Sequence, residues 1–334
     1  MFMRMYENFS GCRVLAYCLM CNHIHILLEV TPMPTSGSST GLSDQVLLRR
    51  MRAIYSEAFV ADVAKELADA RAKVAAGEGK ESVLIGRIHS RFTYRMHDLS
   101  QFMKGFMQRY TQWHNRTHKR SGHLWEDRFK SVIVEDGAAA KTMAAYIDLN
   151  PVRAGIVKNP EDYRWSSYGE AIGGGNKGNG KKARTGLVRA LRAHKGVAAD
   201  AELWKGDVAM EYRRILLAGA GERVEKRVEQ RGAMTKITKR KGLTKEQLAE
   251  EKQRLIEAQE KRMSEIPFGR MLRCRVRYFT DGAVIGSRDF VDEVFESARH
   301  RFGPKRRNGA RAMRGIAHHA KGLLWSFRDL REGL

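Results

Sequence analysis

Two β-prone runs, Arg13–Met20 (RVLAYCLM) and His23–Val30 (HIHILLEV), are separated only by Cys21 and Asn22. So short a connection makes the runs adjacent strands joined by a tight turn, and the rest of the chain has to be built around that hairpin. The turn-rich segment 31–43 cannot continue a strand and is read as a loop. From Asp44 to about Ala75, Leu47, Leu48, Met51, Ile54, Tyr55, Phe59, Val63 and Leu67 recur at three and four, which predicts one amphipathic helix. Asp98 is a good N-cap for a second helix that carries Leu99, Phe102, Met103, Phe106, Met107, Tyr110 and Trp113 on one face. Residues 131–135 read as a short strand. An alanine-rich helix from about Ala138 to Leu149 follows, stopped by Asn150-Pro151 because proline disfavours helical geometry in the residue before it. The fold class expected is α+β.

The run from Gly173 to Lys182 (GGGNKGNGKK) is flexible and cationic in composition. It sets the expected organisation: a first domain over 1–170, a linker over 171–184, and a basic accessory region over 185–334. That last region reads as mostly helical, with opposite charges at helical spacing between Lys236 and Arg262, a hairpin over about 273–286, and a basic tail from Arg299 to Arg314. Lysine and arginine total 61 against 38 aspartate and glutamate, a formal charge of +23 over 334 residues. Such an excess implies a polyanionic partner, nucleic acid before an anionic membrane surface. No segment approaches the ~20 apolar residues that span a bilayer. Only four cysteines occur (Cys12, Cys18, Cys21, Cys274), which suits a reducing compartment, so a soluble cytoplasmic protein is expected.

His23 and His25 lie two apart in the second run, so alternation puts both imidazoles on one face of the sheet, with Ile24, Ile26 and Leu28 on the other. Two such rings can converge on one divalent cation if a third ligand comes from elsewhere; two hydrogen-bonded histidines on a half-buried strand satisfy the same pattern. Cys18 and Cys21 allow a different set, zinc on Cys18, Cys21, His23 and His25, in a nucleic-acid binder. Tyr146 and Asn150 share one face of a helix. A phenol can be a nucleophile and an amide oxygen a hard metal ligand; equally, the tyrosine can pack and the asparagine can cap the helix. Arg116, Lys119 and Arg120 adjoin Trp113, His114 and His118, an interleaving of cations and rings that suits a single-stranded backbone with stacked bases. Arg128, Lys130 and Arg153 add positive charge near the other motifs.

Four ordered blocks draw these residues together: Leu15–Glu29 (LAYCLMCNHIHILLE), Gly122–Phe129 (GHLWEDRF), Tyr146–Val157 (YIDLNPVRAGIV) and Tyr163–Tyr168 (YRWSSY). In this order they resemble the single-tyrosine HUH transposases, in particular the REP-associated tyrosine transposase branch. The resemblance implies a ferredoxin-like α+β domain whose central strand carries the histidines and whose late helix carries the tyrosine. It implies that His23 and His25, with Asn150, hold Mg²⁺ or Mn²⁺ against a phosphate of single-stranded or hairpin DNA. Tyr146 would attack the phosphorus, leaving a 5′-phosphotyrosine and a free 3′-OH, in a protein that can act as a homodimer. Members of the branch carry a strand and a helix ahead of the first block, where this sequence begins at Met1-Phe2-Met3. One sheet edge is then expected to be missing or supplied by another segment, and the alternative is a catalytically inactive, transposase-derived nucleic-acid-binding protein. The turn residue before Asn22, proline in the branch, is here Cys21, and residues 31–95 form a longer link than usual. Val276–Arg288 resembles the added C-terminal segments of related transposases.

Overall fold

A computed structural model of the chain describes residues 2–34, 41–175, 177–196, 200–204, 206–216, 279, 284–312 and 324–327. The chain is α+β, and it divides into two compact units: Met1–Val14 with Leu28–Phe129, and Leu15–Leu27 with Lys130–Leu334. The hairpin strands β1 (Arg13–Leu19) and β2 (Ile24–Glu29) pair with each other as expected, and the chain passes from one unit to the other within them. Their turn is closed by the Met20 amide, which donates to the His23 carbonyl at 2.9 Å.

The first unit is helical. Helix α1 (Phe2–Ser10) occupies the residues ahead of the hairpin. The single helix expected over 44–75 is two, α2 (Asp44–Met51) and α3 (Glu57–Ala75). The break has a local cause. Ser56 adopts extended geometry and its hydroxyl accepts from the Phe59 amide, so a new helix start outcompetes continuation. The apolar period runs through the break because both helices bury their stripes in one core of Leu47, Met51, Val60, Val63 and Leu67. Helix α4 (Glu81–Thr93) adds Ile85, Ile88 and Phe92 to that core; their spacing of three and four is the signal that marks it in the sequence. The buried His89 of α4 donates from Nε2 to Asp44 at 2.8 Å, and Arg71 of α3 reaches the same carboxylate at 2.9 Å. These bonds, the Arg71 pair first, hold the Asp44 carboxyl below the usual carboxylate range. Helix α5 (Leu99–Thr117) starts as expected at Asp98, whose carboxylate accepts from the Gln101 amide at 2.7 Å.

In the second unit, β3 (Ile133–Val134) runs parallel to β4 (Val284–Gly286), which pairs antiparallel with β6 (Trp325–Phe327), itself paired with β5 (Arg311–Ala312). Helix α6 (Ala138–Asp148) is buried on every side from Ala139 onward, which its small residues permit. Leu187, Val188 and Leu191 of helix α9 (Gly178–Arg192) belong to the same core, as do Trp204 and Tyr212. The segment expected as a linker, 171–184, therefore holds the end of α8 (Ser167–Gly173) and the start of α9, inside the second unit. The charged stretch 236–262 and most of the expected hairpin's first arm, 273–279, lie outside the described residues, and its second arm, 283–285, overlaps β4, whose described partners are β3 and β6; the helix Arg288–Ser297 follows. Among the described residues no helix is long and apolar enough to cross a membrane.

Candidate active site

The second unit brings together the residues singled out for chemistry. His23 precedes the first residue of β2 and is exposed, while His25 lies within the strand and is half-buried. Their rings meet edge to face at 4.9 Å. On the same alternation Leu27 is the buried residue of β2, whereas Ile24, Ile26 and Leu28 are only half-buried. The histidine face thus carries the buried residue of β2, whereas the sequence offered Ile24, Ile26 and Leu28 as the face that can pack in a core. The Nδ1 of His23 lies 2.7 Å from the Asn22 side-chain oxygen. That oxygen can only accept, so Nδ1 donates in this contact. Burial first, then the charges of His23 and Arg153, push His25 down to about 4, so its imidazole is neutral at pH 7 and one ring nitrogen offers a lone pair.

The tyrosine comes from α6. Its ring lies 5.9 Å from that of His25, edge to face. Arg153, seven residues on in α7 (Asn150–Arg153), is two helical turns away on the same side. Its guanidinium leans back over the Tyr146 ring at 4.5 Å, an attraction to the π face that also puts a fixed cation beside the phenol. Asn150 donates from its amide nitrogen to the carbonyls of Tyr146 at 3.0 Å and Ile147 at 3.3 Å, which leaves Oδ1 as its acceptor atom. The capping reading of Asn150 therefore holds, through its amide nitrogen at the end of α6. The donors that could hold a divalent ion are the imidazole nitrogens of His23 and His25 and the Oδ1 of Asn150. Among the described residues no three His, Cys, Asp or Glu side chains gather around one point.

Two features of the site were not legible beforehand. Tyr146 is only 1% exposed within the core of the second unit, and Phe279 stacks on it at 4.3 Å with the planes 19° apart. No spacing rule connects positions 146 and 279. The second is Asp148, fully buried two residues after the tyrosine. It accepts from the Ser167 hydroxyl (2.9 Å), the Tyr168 amide (3.0 Å) and the Tyr212 hydroxyl (2.6 Å). Burial pushes this carboxyl up to about 6, and the three donors oppose that rise. Ser167 also accepts from the Tyr17 amide of β1 at 2.8 Å, and Tyr163 donates to the Leu19 carbonyl at 2.5 Å. The block Tyr163–Tyr168 thereby ties the histidine hairpin to the tyrosine helix. An aspartate inside an alanine-rich apolar helix was the sequence signal for this clamp.

Cys18 lies in the core, and burial, helped by the charge of Asp148, pushes its thiol up to about 12, whereas Cys21 is exposed. Cys274 lies outside the described residues. Of the cations expected to meet DNA, Lys130 and Arg153 belong to the second unit and Arg116, Lys119, Arg120 and Arg128 to the first. All but the half-buried Arg153 are exposed. No family model, no curated protein and no solved structure matches the chain.

Proposed function

We propose that the chain is a single-tyrosine DNA nicking and joining enzyme of the HUH type, acting on single-stranded or hairpin DNA through a ferredoxin-like catalytic fold. The observation that carries the reading is the meeting of His23, His25, Tyr146 and Arg153, drawn from two blocks more than 110 residues apart in the chain. A divalent cation on His23, His25 and Asn150 would polarise the scissile phosphate; with two nitrogen donors, Mn²⁺ suits the set better than Mg²⁺. In the chemical step the Tyr146 oxygen forms a bond to phosphorus, the P–O3′ bond breaks, and the phenolic proton is balanced by the one that the leaving 3′-oxygen gains. Arg153 offsets the negative charge that gathers at the phenol and phosphate. The 3′-OH later reverses the step, so rejoining needs no nucleotide cofactor. Because Tyr146 is buried beneath Phe279 and its neighbours, the phosphate reaches the phenol only when covering side chains move aside.

The test is incubation with a single-stranded hairpin oligonucleotide and Mn²⁺. An adduct that survives SDS, disappears in Tyr146→Phe and is abolished by EDTA is expected; an adduct that persists in Tyr146→Phe would assign the nucleophile elsewhere. The burial of Tyr146 favours a second reading, a transposase-derived binding protein in which the tyrosine is a core residue. Salt-sensitive DNA binding with no adduct, indifferent to EDTA and to His25→Ala, would establish that reading instead.

A further inference from the structure

A second place in the molecule has the chemistry to hold nucleic acid, and it lies wholly in the first unit. Tyr110, Trp113, His114 and His118 follow one another at three, four and eight residues along α5 and its C-cap, so they climb one face of the helix. Their rings form a continuous row: Tyr110 to Trp113 at 5.6 Å, Tyr110 to His114 at 6.1 Å, and His114 to His118 at 4.4 Å, all tilted by about 40°. Trp125 returns against Tyr110 at 5.8 Å and anchors its indole N–H on the Met107 carbonyl.

Phe2 of α1 packs on one side of this row, at 6.4 Å from Tyr110 and 5.9 Å from Trp113. Trp113 is still 45% exposed and His118 is exposed, so aromatic surface remains in water at a cost in hydrophobic free energy. Positive charge dominates along the helix, and Glu126 and Asp127 are exposed just past Trp125. From Leu99 to Trp125 the chain has five lysines and arginines and no acidic residue. Three of the five, Arg116, Lys119 and Arg120, are exposed at the end of the row, and among the described residues none of them is in an ion pair. They are not needed to cap the helix. The His118 amide already bonds the His114 carbonyl, the Arg120 amide bonds that of Asn115, and Asn115 ties the loop to Gly122.

We propose that this row is a stacking site for unpaired bases of single-stranded DNA, with Arg116, Lys119 and Arg120 on the backbone phosphates. Open aromatic faces beside fixed cations take bases of any identity, because every base has a π face and every nucleotide a phosphate. The site rests on the nucleic-acid part of the function proposed above and is independent of Tyr146.

Binding of the full chain to labelled 20-mers of dT, of abasic deoxyribose and of rU, measured by anisotropy in EDTA on the Tyr146→Phe background, tests it apart from catalysis. The dT strand is expected to bind at least tenfold more tightly than the abasic strand. Trp113→Ala should erase most of that difference, roughly tenfold in affinity, while leaving abasic binding unchanged, and Trp113→Phe should restore much of it. Arg116→Gln with Arg120→Gln should weaken both DNA strands equally. Equal affinity for the dT and abasic strands, or no change on Trp113→Ala, overturns the stacking site. A tenfold preference for rU overturns its assignment to DNA. Loss of the SDS-resistant adduct in Tyr146→Phe bears only on the catalytic reading, so the two can fail separately.

Discussion

At the scale of single residues, the site is governed by two contacts that bury polar groups. Phe279 covers Tyr146, and if the phenol is the nucleophile then uncovering it removes a step before attack. Phe279→Ala is expected to raise the rate of adduct formation several-fold and to lower stability by about 3 kcal/mol for the lost ring; a variant that loses stability without gaining rate would make the stack purely structural. Asp148 gives a prediction in pH. Its folded value of about 6 lies above the usual carboxylate value, so proton binding favours the folded state. That stabilisation is complete below about pH 4 and is lost as pH rises through about 6. Asp148→Asn abolishes the effect. The stability of the variant relative to the parent should therefore rise between pH 4 and 6.5, by up to roughly 3 kcal/mol, in urea unfolding. The asparagine oxygen can still accept from Ser167 and Tyr168, and the Tyr212 hydroxyl can turn to accept, whereas Asp148→Ala strands three buried donors and is expected to cost more at every pH. His25 works in the opposite sense in the parent. Its folded value lies below the ordinary imidazole value, so its contribution to stability falls as pH drops below about 6.5; comparison of variant with parent cancels it.

Among the elements, α5 shows how close packing and propensity compete. Gly105 faces Tyr6 of α1, and a Cβ there would overlap the phenol ring. Gly105→Ala gains about 1 kcal/mol of helix propensity but forces the buried tyrosine aside, an overpacking cost of about 1–3 kcal/mol. A net fall in the unfolding midpoint is expected; a rise would mean that α1 leaves the face of α5 without penalty. Asp98→Ala should cost about 1 kcal/mol, since it removes the cap on the Gln101 amide. The start of α5 was readable because a cap is a local bargain between an aspartate and the amide three residues on. The break at 52–56 was not, because the apolar rhythm reports which face meets the core and is blind to a change of helix axis that leaves both faces in it.

For the whole molecule, the excess of 23 positive charges sets the expected behaviour toward DNA. Binding should weaken steeply with salt, with a log–log slope near −0.7 for each phosphate neutralised on a single strand. Replacing Arg116 and Arg120 together by glutamine should make that slope shallower by about 1.4, whatever the base sequence. An unchanged slope would show that these two guanidinium groups meet no phosphate. With two imidazoles in the donor set, adduct formation should also be faster with Mn²⁺ than with Mg²⁺.

The sequence by itself determined the hairpin, the cap at Asp98, and the identity of His23, His25, Tyr146 and Asn150 as residues worth bringing together. Each of these follows from neighbours a few positions apart or from motifs that stand intact in the chain. Only the tertiary structure decided that the histidine side of β2 carries the strand's buried residue, that Asp148 is gripped by Ser167, Tyr168 and Tyr212, that Phe279 lies over the phenol, and that the glycine-rich stretch 173–182 is taken up by two helices. Those outcomes depend on which distant surfaces exclude water from one another. A spacing pattern carries the period of a face, whereas the partner that covers it is fixed only when the chain closes on itself.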